Sequence, residues 1–269
     1  MTDLRTIAEN AARAGGSVLR EHAGHITGLR TKSGSADMVS AADVASGVAV
    51  VAAIVAALPE ARFVVEEPEV YALAGVTPGT LGDTEVWVID PLDGTTSFVH
   101  TYPCWSVSVA CLREGRPVAA AVYNVPADEM VSAALGEGAT ANDAPVICEG
   151  AAALDRALLC TGFPYDRGEP FTRQLRLLEA LVRPAHDVRR DGSAAVDLCS
   201  IALGRVDGFW ETALQPWDMA AGVLIVEEAG GIVTDFGGNS WTVATHDIVA
   251  ANLALHAVLL ETIRSADRR

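Results

Sequence analysis

The chain has 269 residues, of which 50% are hydrophobic and 20% charged, so its length and composition predict a globular protein with a large core rather than a disordered one. Its 35 acidic and 19 basic residues give a formal net charge of −16 at pH 7, and Lys32 is the only lysine. A field of that sign repels nucleic acid and anionic membrane surfaces, so we expect neither as a partner.

Cysteine usage and the apolar stretches bear on the cellular compartment. The five cysteines are odd in number and no two have the spacing of a zinc or redox pair, which favours a reducing environment. The N-terminus lacks a basic stretch followed by an apolar one, so we expect no secretory signal. The longest apolar stretch, residues 44–58, contains Ser46 and Gly47 and is too short to span a membrane. We therefore expect a cytoplasmic protein.

The first predicted elements are two helices separated by a polar loop. Apolar residues recur at helical spacing over residues 3–22, and Gly24 lies just beyond them. A second, more apolar helix is predicted over residues 41–58. Residues 32–37, between the two, are rich in serine and glycine and predict a loop or a short hairpin.

Strand patterns dominate the middle of the chain. Short β-branched runs at residues 63–65 and 86–89 each end in acidic residues and predict two buried strands. Residues 105–125 alternate with a period of two around a turn, and a further strand is predicted at residues 130–135. These residues therefore predict an antiparallel meander.

The second half alternates strands with helices. The predicted strands are residues 158–160, 207–210, 232–234 and 248–250, and the predicted helices are residues 171–182, 193–203, 219–229 and 253–263. Such alternation predicts layered α/β packing. We expect two packed subdomains, an N-terminal one over residues 1–150 that carries most of the site's acids and a C-terminal one over residues 151–269 that completes the site.

Acidic residues follow the two buried strands. Glu66 and Glu67 come after the first strand, and Asp90 comes after the second. If the two strands are parallel neighbours, their carboxylates converge at the sheet edge where open α/β sheets bind ligands. Clustered carboxylates repel one another unless a cation lies among them, and an all-oxygen cluster suits Mg²⁺. The alternative is that Glu66 and Glu67 form an ordinary solvated strand end.

Residues 90–98, with the sequence DPLDGTTSF, are the most informative segment. Asp90 and Asp93 lie three residues apart across a turn that Pro91 restricts, so both can face one metal site. Gly94 permits close approach of the backbone, and a helix that begins at Thr95 would offer free N–H groups to an anion. The alternative is a simple surface turn, which Asp-Pro and Asp-Gly dipeptides often mark.

Two further features have both a functional and a purely structural interpretation. Asp218 precedes an apolar helical run, so it can be a metal ligand or an ordinary helix cap. Gly192, Ser193 and Ala194 can bind substrate or simply begin a helix. Taken singly, none of these patterns decides between the two.

Together, these residues closely resemble the inositol monophosphatase family of lithium-sensitive, magnesium-dependent phosphatases. The match covers nearly the whole chain, and its most specific part is the run WVIDPLDGTT at residues 87–96. Trp217 and Asp218, which lead into residues 228–231, are similar to the family's C-terminal signature. Glu66 and Glu67 occupy the place of its Glu-Glu motif, and residues 37–43 resemble its early acidic segment.

The resemblance implies a fold, an activity and cofactors. The fold would be a layered αβαβα sandwich of the inositol monophosphatase and fructose-bisphosphatase type, commonly a homodimer. The activity would be hydrolysis of a small phosphate monoester, above all inositol monophosphate, with two or three Mg²⁺ ions. One ion would be held by Glu67, Asp90 and the carbonyl of Leu92, and a second by Asp90, Asp93 and Asp218. A third, more weakly bound ion would be coordinated by Glu67 and water molecules.

The resemblance also implies catalytic and substrate-binding roles. Glu67, Thr95 and Asp43 would be the catalytic residues, and Thr95 would orient the attacking water. The N–H groups of Gly94 and Thr95 would bind the phosphate. The remaining substrate-binding positions would be Asp93, Gly192, Ser193, Ala194, Glu211 and Asp218. Two ions would then serve an in-line displacement, one activating the water and one steadying the leaving alkoxide.

The resemblance leaves open which phosphate ester is hydrolysed. Val65, Pro68, Ser97, Asp143 and the bulky pair before Glu211 depart from the family's pattern, and none of them is a metal ligand. A sibling substrate such as histidinol phosphate is the main alternative. A bisphosphate would need an extra cationic pocket, for which the candidates are Arg167, Arg189 and Arg190. A non-catalytic regulatory or binding protein on the same fold is the alternative from another class.

Overall fold

A computed structural model describes residues 3–31 and 38–268, and the predicted loop at residues 32–37, with Lys32 and Asp37, lies outside them. The helices are α1 (Leu4–His22), α2 (Ala41–Ala57), α3 (Glu69–Ala74), α4 (Thr95–Val99), α5 (Glu169–Val182), α6 (Ala194–Ala202), α7 (Pro216–Glu228) and α8 (His256–Asp267). The strands are β1 (Arg30–Thr31), β2 (Met38–Val39), β3 (Phe63–Val65), β4 (Glu85–Asp93), β5 (Ser106–Arg113), β6 (Arg116–Asn124), β7 (Glu129–Ala134), β8 (Gly138–Ala141), β9 (Ala144–Pro145), β10 (Leu158–Thr161), β11 (Asp187–Arg189), β12 (Gly208–Glu211), β13 (Ile232–Thr234) and β14 (Ile248–Ala251).

Two main sheets organise the molecule. The first has seven strands in the order β3-β4-β5-β6-β7-β8-β9, and the second has five in the order β11-β10-β12-β14-β13. In the first sheet β3 and β4 are parallel and the later strands form an antiparallel meander, as the hydrophobic pattern predicts. In the second, β10 is parallel to both β11 and β12. The pair β1 and β2 forms a separate small ribbon.

Helices cover both sheets and fill the space between them. Helices α1 and α2 pack on the outer face of the seven-stranded sheet, through core residues such as Ala11, Val50 and Val107. Helices α6 and α7 lie between the sheets and share one core with both, whereas α5 and α8 cover the outer face of the five-stranded sheet. The order of layers is therefore αβαβα, and the predicted fold class is confirmed.

Local hydrogen bonds explain where several helices begin. Asp3 caps α1 by accepting from the N–H of Arg5, and Ser40 and Asp43 form a reciprocal capping box at the start of α2. The predicted helix 253–263 begins later, at His256. Its shift has a local cause, because the side chain of Asn252 accepts from the N–H groups of Ala254 and Leu255 and holds a turn there.

Some elements lack a clear sequence signal. Helix α3 follows Pro68, which reads as a break in the pattern, and strand β11 is short and largely exposed. All five cysteines are buried, and the described residues contain no disulfide. No helix in the described part of the chain has the length and apolar character needed to cross a membrane.

Candidate active site

Strands β3 and β4 bring the predicted acids to one edge of the seven-stranded sheet. Their register pairs Phe63 with Trp87 and Val65 with Ile89, so the residues after Val65 lie beside Asp90. Strand β4 continues through Asp93, and its pairing with β5 is irregular between Asp90 and Asp93. Because parallel neighbours end at the same edge, the expected convergence of the acidic segments is observed.

Asp90 and Asp93 are both buried, and backbone or hydroxyl donors hold each of them. Oδ1 of Asp90 accepts from the N–H of Leu92 over 3.0 Å. Oδ2 of Asp93 accepts from the hydroxyl of Ser193 and, over 2.8 Å, from the N–H of Ala195 in the first turn of α6. Helix α6 therefore fixes Asp93 from a segment that lies 102 residues further along the chain than Asp93 itself.

Asp218 lies in the first turn of α7, after Pro216 at the first helical position. Its Oδ2 accepts from the N–H of Gln215 over 2.7 Å, and the two residues form a capping box. Asp218 therefore supports the start of α7 as its third residue, whereas the N-cap is Gln215, so Asp218 is not the ordinary cap expected from its place before the apolar run. This contact does not exclude a ligand role, because a carboxylate has a second oxygen with free lone pairs.

The carboxylates of Asp90, Asp93 and Asp218 act on one another's environment, and the first two are buried while Asp218 is half-buried. Burial raises the pKa of Asp90 well above its usual value, and Glu66, Asp93 and Asp218 add to the shift by repulsion. Burial, followed by repulsion from Glu66 and Asp93, likewise raises the pKa of Asp218. Burial raises the pKa of Asp93 to about 6, against the opposing hydrogen bonds from Ser193 and Ala195. Such a set is stabilised by any cation that lies among its members.

The donor set fits a hard divalent cation. It consists of buried and half-buried carboxylates that repel one another, together with the buried Leu92 and its carbonyl, and Mg²⁺ prefers oxygen ligands of this kind. Across residues 3–31 and 38–268, no three acidic, histidine or cysteine side chains form a ready-made cage around one point. Binding would therefore require the side chains to close on the ion.

The Glu-Glu pair after β3 is divided between two environments. Glu67 is buried, with 2% of its surface exposed, whereas Glu66 is half-buried and lines the cavity beside the site. Glu66 is also the residue whose charge acts on Asp90, Asp93 and Asp218. The ligand role of Glu67 stays a prediction, and Glu66 is a site residue to which the resemblance gives no metal-binding or substrate-binding role.

Thr95 and Asp43 lie together behind the acids. The hydroxyl of Thr95 is 3.0 Å from Oδ1 of Asp43 and 3.1 Å from the carbonyl oxygen of Leu92. The other oxygen of Asp43 accepts from the N–H and the hydroxyl of Ser40 at the start of α2. Burial raises the pKa of Asp43. The capping box of α2 therefore positions Asp43 for its contact with Thr95.

Gly94 is held in a conformation that suits glycine alone. Its φ is +91°, and a Cβ there would lie 2.9 Å from the carbonyl oxygen of Cys104 and 3.1 Å from that of Gly192. Helix α4 begins at Thr95, directly after this turn, as predicted, although it has only five residues. Gly94 and Gly192, two predicted substrate-binding residues, therefore approach each other closely.

A cavity of about 470 Å³ opens beside the acids. Of the predicted site residues, those that line it are Asp93, Gly192, Ser193, Ala194, Glu211 and Asp218. The others, Asp43, Glu67, Asp90, Leu92, Gly94 and Thr95, are buried next to its wall or in the core. Tyr165 and Asp197 also line the cavity, and sequence analysis assigned a role to neither of them; Glu66 of the Glu-Glu pair and Arg190, a candidate for a second phosphate, line it as well.

The cavity's charge is almost entirely negative. Arg190 is the one basic residue among those that line it in the described chain, and it lies over the ring of Phe163. The other two arginines considered for a second phosphate are engaged elsewhere, Arg189 with Asp187 and Arg167 over the ring of Phe171. The described residues thus offer no cluster of cations for a bisphosphate.

Comparison with known proteins gives a consistent result. The model of the inositol monophosphatase family matches residues 1–268. An inositol-1-monophosphatase from Synechocystis sp. is 37% identical, over 97% of this chain and 90% of its own. A protein from Salmonella typhimurium called Nus factor SuhB is 38% identical, over 98% of this chain and 97% of its own. The solved structure of inositol monophosphatase from Anabaena (Nostoc) sp. has a TM-score of 0.83 and 36% identity, with 97% and 95% of the two chains covered.

Proposed function

The chain belongs to the inositol monophosphatase family, and from that premise we propose that it is a magnesium-dependent phosphatase that hydrolyses a small phosphate monoester, most simply inositol monophosphate. The observation that carries this proposal is the convergence of Glu66, Asp93 and Asp218 on the wall of one cavity, with Asp90 buried behind it. Burial, together with repulsion from Glu66, raises the pKa of all three aspartates. Perturbed carboxylates beside a cavity are typical of functional sites.

The residues that would hold Mg²⁺ are Glu67, Asp90, Asp93, Asp218 and the carbonyl of Leu92. The bound ion would supply positive charge against the phosphate and lower the pKa of the attacking water. The chain itself fixes the ligands, since α6 orients Asp93 and α7 orients Asp218. Residues of both predicted subdomains, 1–150 and 151–269, are thus needed for the site, and we propose that neither half is active alone.

Thr95 would orient the water. Its hydroxyl can donate to Asp43, which leaves the lone pairs of Oγ free to accept a hydrogen bond from a water molecule. Gly94 has no Cβ that would collide with the carbonyls of Cys104 and Gly192, so the turn can pack against them, and the N–H group of Gly94 would be available to the phosphate. Glu211, Gly192 and Ala194 line the same cavity and would contact the alcohol part of the substrate.

A non-catalytic role is the alternative. Relatives named as Nus factors match the chain as well as the relative named as a phosphatase does, at 38% and 37% identity. The similarity therefore does not separate catalysis from binding. The net charge of −16 argues against direct contact with nucleic acid, so such a role would have to rest on another kind of partner.

Phosphate release from a panel of esters, with and without magnesium, tests the proposal. The panel should include inositol monophosphate, histidinol phosphate, a sugar phosphate and p-nitrophenyl phosphate. We expect magnesium-dependent release from at least one of them, and absence of release from every ester would favour the binding role. We further propose that the protein is cytoplasmic and forms a homodimer. Light scattering on the purified protein would check the oligomeric state.

A further inference from the structure

The loop between β12 and α7, residues 212–215, forms one wall of the cavity and leads into Asp218. Within it Ala213 has a φ of +63°, and among the described residues other than glycine that have a positive φ it is the one that lines the cavity. Asparagine and aspartate stabilise this conformation through local hydrogen bonds, which the methyl side chain of alanine cannot make. Contacts from outside the loop must therefore hold Ala213 in place.

These contacts come from residues 246 and 247, directly before β14. Oδ1 of Asp247 accepts from the N–H of Ala213 over 3.2 Å, and the carbonyl of His246 accepts from the N–H of Leu214 over 2.9 Å. Nδ1 of His246 lies 2.8 Å from the carbonyl oxygen of Leu214. Asp247 therefore binds the backbone of the loop at the residue whose conformation is unfavourable.

Asp247 is itself fixed by Arg173 of α5. Oδ2 of Asp247 accepts from Nη1 of Arg173, whose Nε and Nη2 donate to the two carboxylate oxygens of Asp267 on α8. The three side chains are half-buried, with 25% to 28% of their surfaces exposed. Two parallel hydrogen bonds from a guanidinium to one carboxylate give that pair a defined geometry. The position of Asp247 is thus set by α5 and α8 rather than by the loop that it contacts.

The loop connects this position to a proposed metal ligand. The N–H of Gln215, two residues after Ala213, donates to Oδ2 of Asp218 over 2.7 Å, and the two residues form the capping box of α7. Because φ and ψ are the two soft torsions of each residue, a change of φ at Ala213 moves Gln215 and redirects its N–H group. The carboxylate of Asp218 would turn with that group.

We propose that Asp247 is a positioning residue for the metal site: held by Arg173, it keeps Ala213 in the left-handed conformation and thereby orients the carboxylate of Asp218. The proposal rests on the proposed phosphatase function and adds to it a residue that contacts neither substrate nor ion. The structural alternative is that Asp247 and Asp267 only join α5 and α8 to the rest of the fold through Arg173. In that case both acids would matter for stability and neither for metal binding.

Magnesium binding by two alanine variants separates these interpretations. Asp247→Ala removes the acceptor for Ala213, whereas the matched control Asp267→Ala removes two hydrogen bonds to the same arginine and leaves the contact with the loop. Isothermal titration calorimetry measures the dissociation constant for Mg²⁺ without turnover, and thermal melting measures stability. We expect both variants to melt below the wild type, but only Asp247→Ala to bind Mg²⁺ more weakly, by about three- to tenfold, within the range that loss of one hydrogen bond produces.

Phosphate release and a double variant provide further measurements. The loss in kcat/KM of Asp247→Ala at low magnesium should be recovered when magnesium is raised until the site is saturated, which partial unfolding of the variant would not allow. Ala213→Gly in the Asp247→Ala background should restore part of the affinity for Mg²⁺, since glycine adopts a positive φ without the steric cost. Without that recovery, Asp247 would not act through the backbone of Ala213.

Two results would overturn the proposal. One is Asp247→Ala that binds Mg²⁺ as tightly as the wild type, and the other is an equal weakening in Asp267→Ala. Failure of the proposed function looks different, because then the wild type itself binds no Mg²⁺ and releases no phosphate from any ester, and the proposal fails with it. If the wild type binds Mg²⁺ but hydrolyses no ester, the calorimetric dissociation constants of the two variants alone decide the role of Asp247.

Discussion

The hydroxyl of Thr95 lies 3.0 Å from Oδ1 of Asp43, across 52 residues of sequence. The capping box of α2 fixes Asp43, and the turn at Gly94 fixes Thr95, so two separate local motifs meet at one contact. A threonine whose proton is engaged by a carboxylate is a ready acceptor for water. The contact therefore links the start of a helix to the chemistry of the proposed site.

Thr95→Ala should lower kcat by a factor on the order of 10² or more, because a positioned group that handles a proton in the transition state contributes about that much. Thr95→Ser keeps the hydroxyl and should recover most of the activity. Thr96→Ala is the matched control, since the half-buried Thr96 is the next residue of α4 and has no role in the site. Equal activity of Thr95→Ala and Thr96→Ala would remove Thr95 from the mechanism.

The crowding around Gly94 predicts a difference between two glycine substitutions. Gly94 and Gly75 both have positive φ, +91° and +69°, but a Cβ at Gly75 would meet nothing within 4 Å. Gly75→Ala should cost about 1–2 kcal/mol for the left-handed backbone alone. Gly94→Ala should cost more, since it also forces a clash with two carbonyl oxygens. Urea denaturation measures the free energy of unfolding of the two variants. Equal losses would show that the carbonyl groups of Cys104 and Gly192 move aside to make room for the new Cβ.

The raised pKa of Glu211 predicts how its substitution changes stability with pH. Burial, opposed by Arg190 and aided by Asp93, raises the pKa from 4.5 to about 8. Between these pH values the folded state binds more protons than the unfolded state, so ionisation of Glu211 lowers the free energy of unfolding as pH rises. Glu211→Gln lacks this effect, so its melting temperature should rise relative to that of the wild type between pH 5 and pH 9.

The change in the free energy of unfolding can be converted into a shift in melting temperature. A change of 1 kcal/mol moves the melting temperature by roughly 2–4 °C in a domain of 150–250 residues, so a gain of several degrees is expected. Asp166→Asn, at an exposed carboxyl, is the control and should follow the wild type at every pH. A constant difference between Glu211→Gln and the wild type across the range would contradict the raised pKa.

Kinship with lithium-sensitive phosphatases predicts inhibition by lithium. Lithium should lower turnover without competing with substrate, because a small monovalent cation can occupy a place suited to Mg²⁺ among the carboxylates. Steady-state assays at low and saturating substrate distinguish the two modes, with potassium at equal ionic strength as the control. Turnover that lithium leaves unchanged would count against close functional kinship while leaving a magnesium phosphatase possible.

Much of the fold could be predicted from the sequence because hydrophobic periodicity is strong. Helix α1 has a buried stripe that includes Ile7 and Ala11, β3 is a short β-branched run, and β4 begins with one, so local pattern decides each of them. Periodicity places the start of helix α8 three residues too early, because the turn that the side chain of Asn252 stabilises leaves no periodic signal. Strand β11 is stabilised by pairing with β10 rather than by its own pattern.

Some residues of the candidate site could likewise be predicted from the sequence, and others could not. Asp90 and Asp93 come after the recognisable apolar run at residues 86–89, so their place at a sheet edge could be predicted from the sequence, although β4 extends through both of them and the predicted turn is an irregularity within the strand. Asp197 could not, because a helix of small and apolar residues does not reveal which of its faces lines a cavity until the second sheet is in place. The one sequence signal is that Asp197 is the single acid in the apolar helical run of α6.

Magnesium-dependent phosphate release by the wild type and by Asp93→Asn tests the central claim most directly. Asparagine keeps an oxygen that can accept from the N–H of Ala195, so the fold should persist, while the charge that a cation needs is removed. Asp187→Asn, at an exposed carboxyl paired with Arg189, is the matched control. We predict that the wild type and the control release phosphate only when magnesium is present, and that Asp93→Asn is slower by orders of magnitude. If Asp93→Asn retained more than about a tenth of wild-type activity, a loss of under about 1.4 kcal/mol in barrier, the carboxylate cluster would not be the catalytic site.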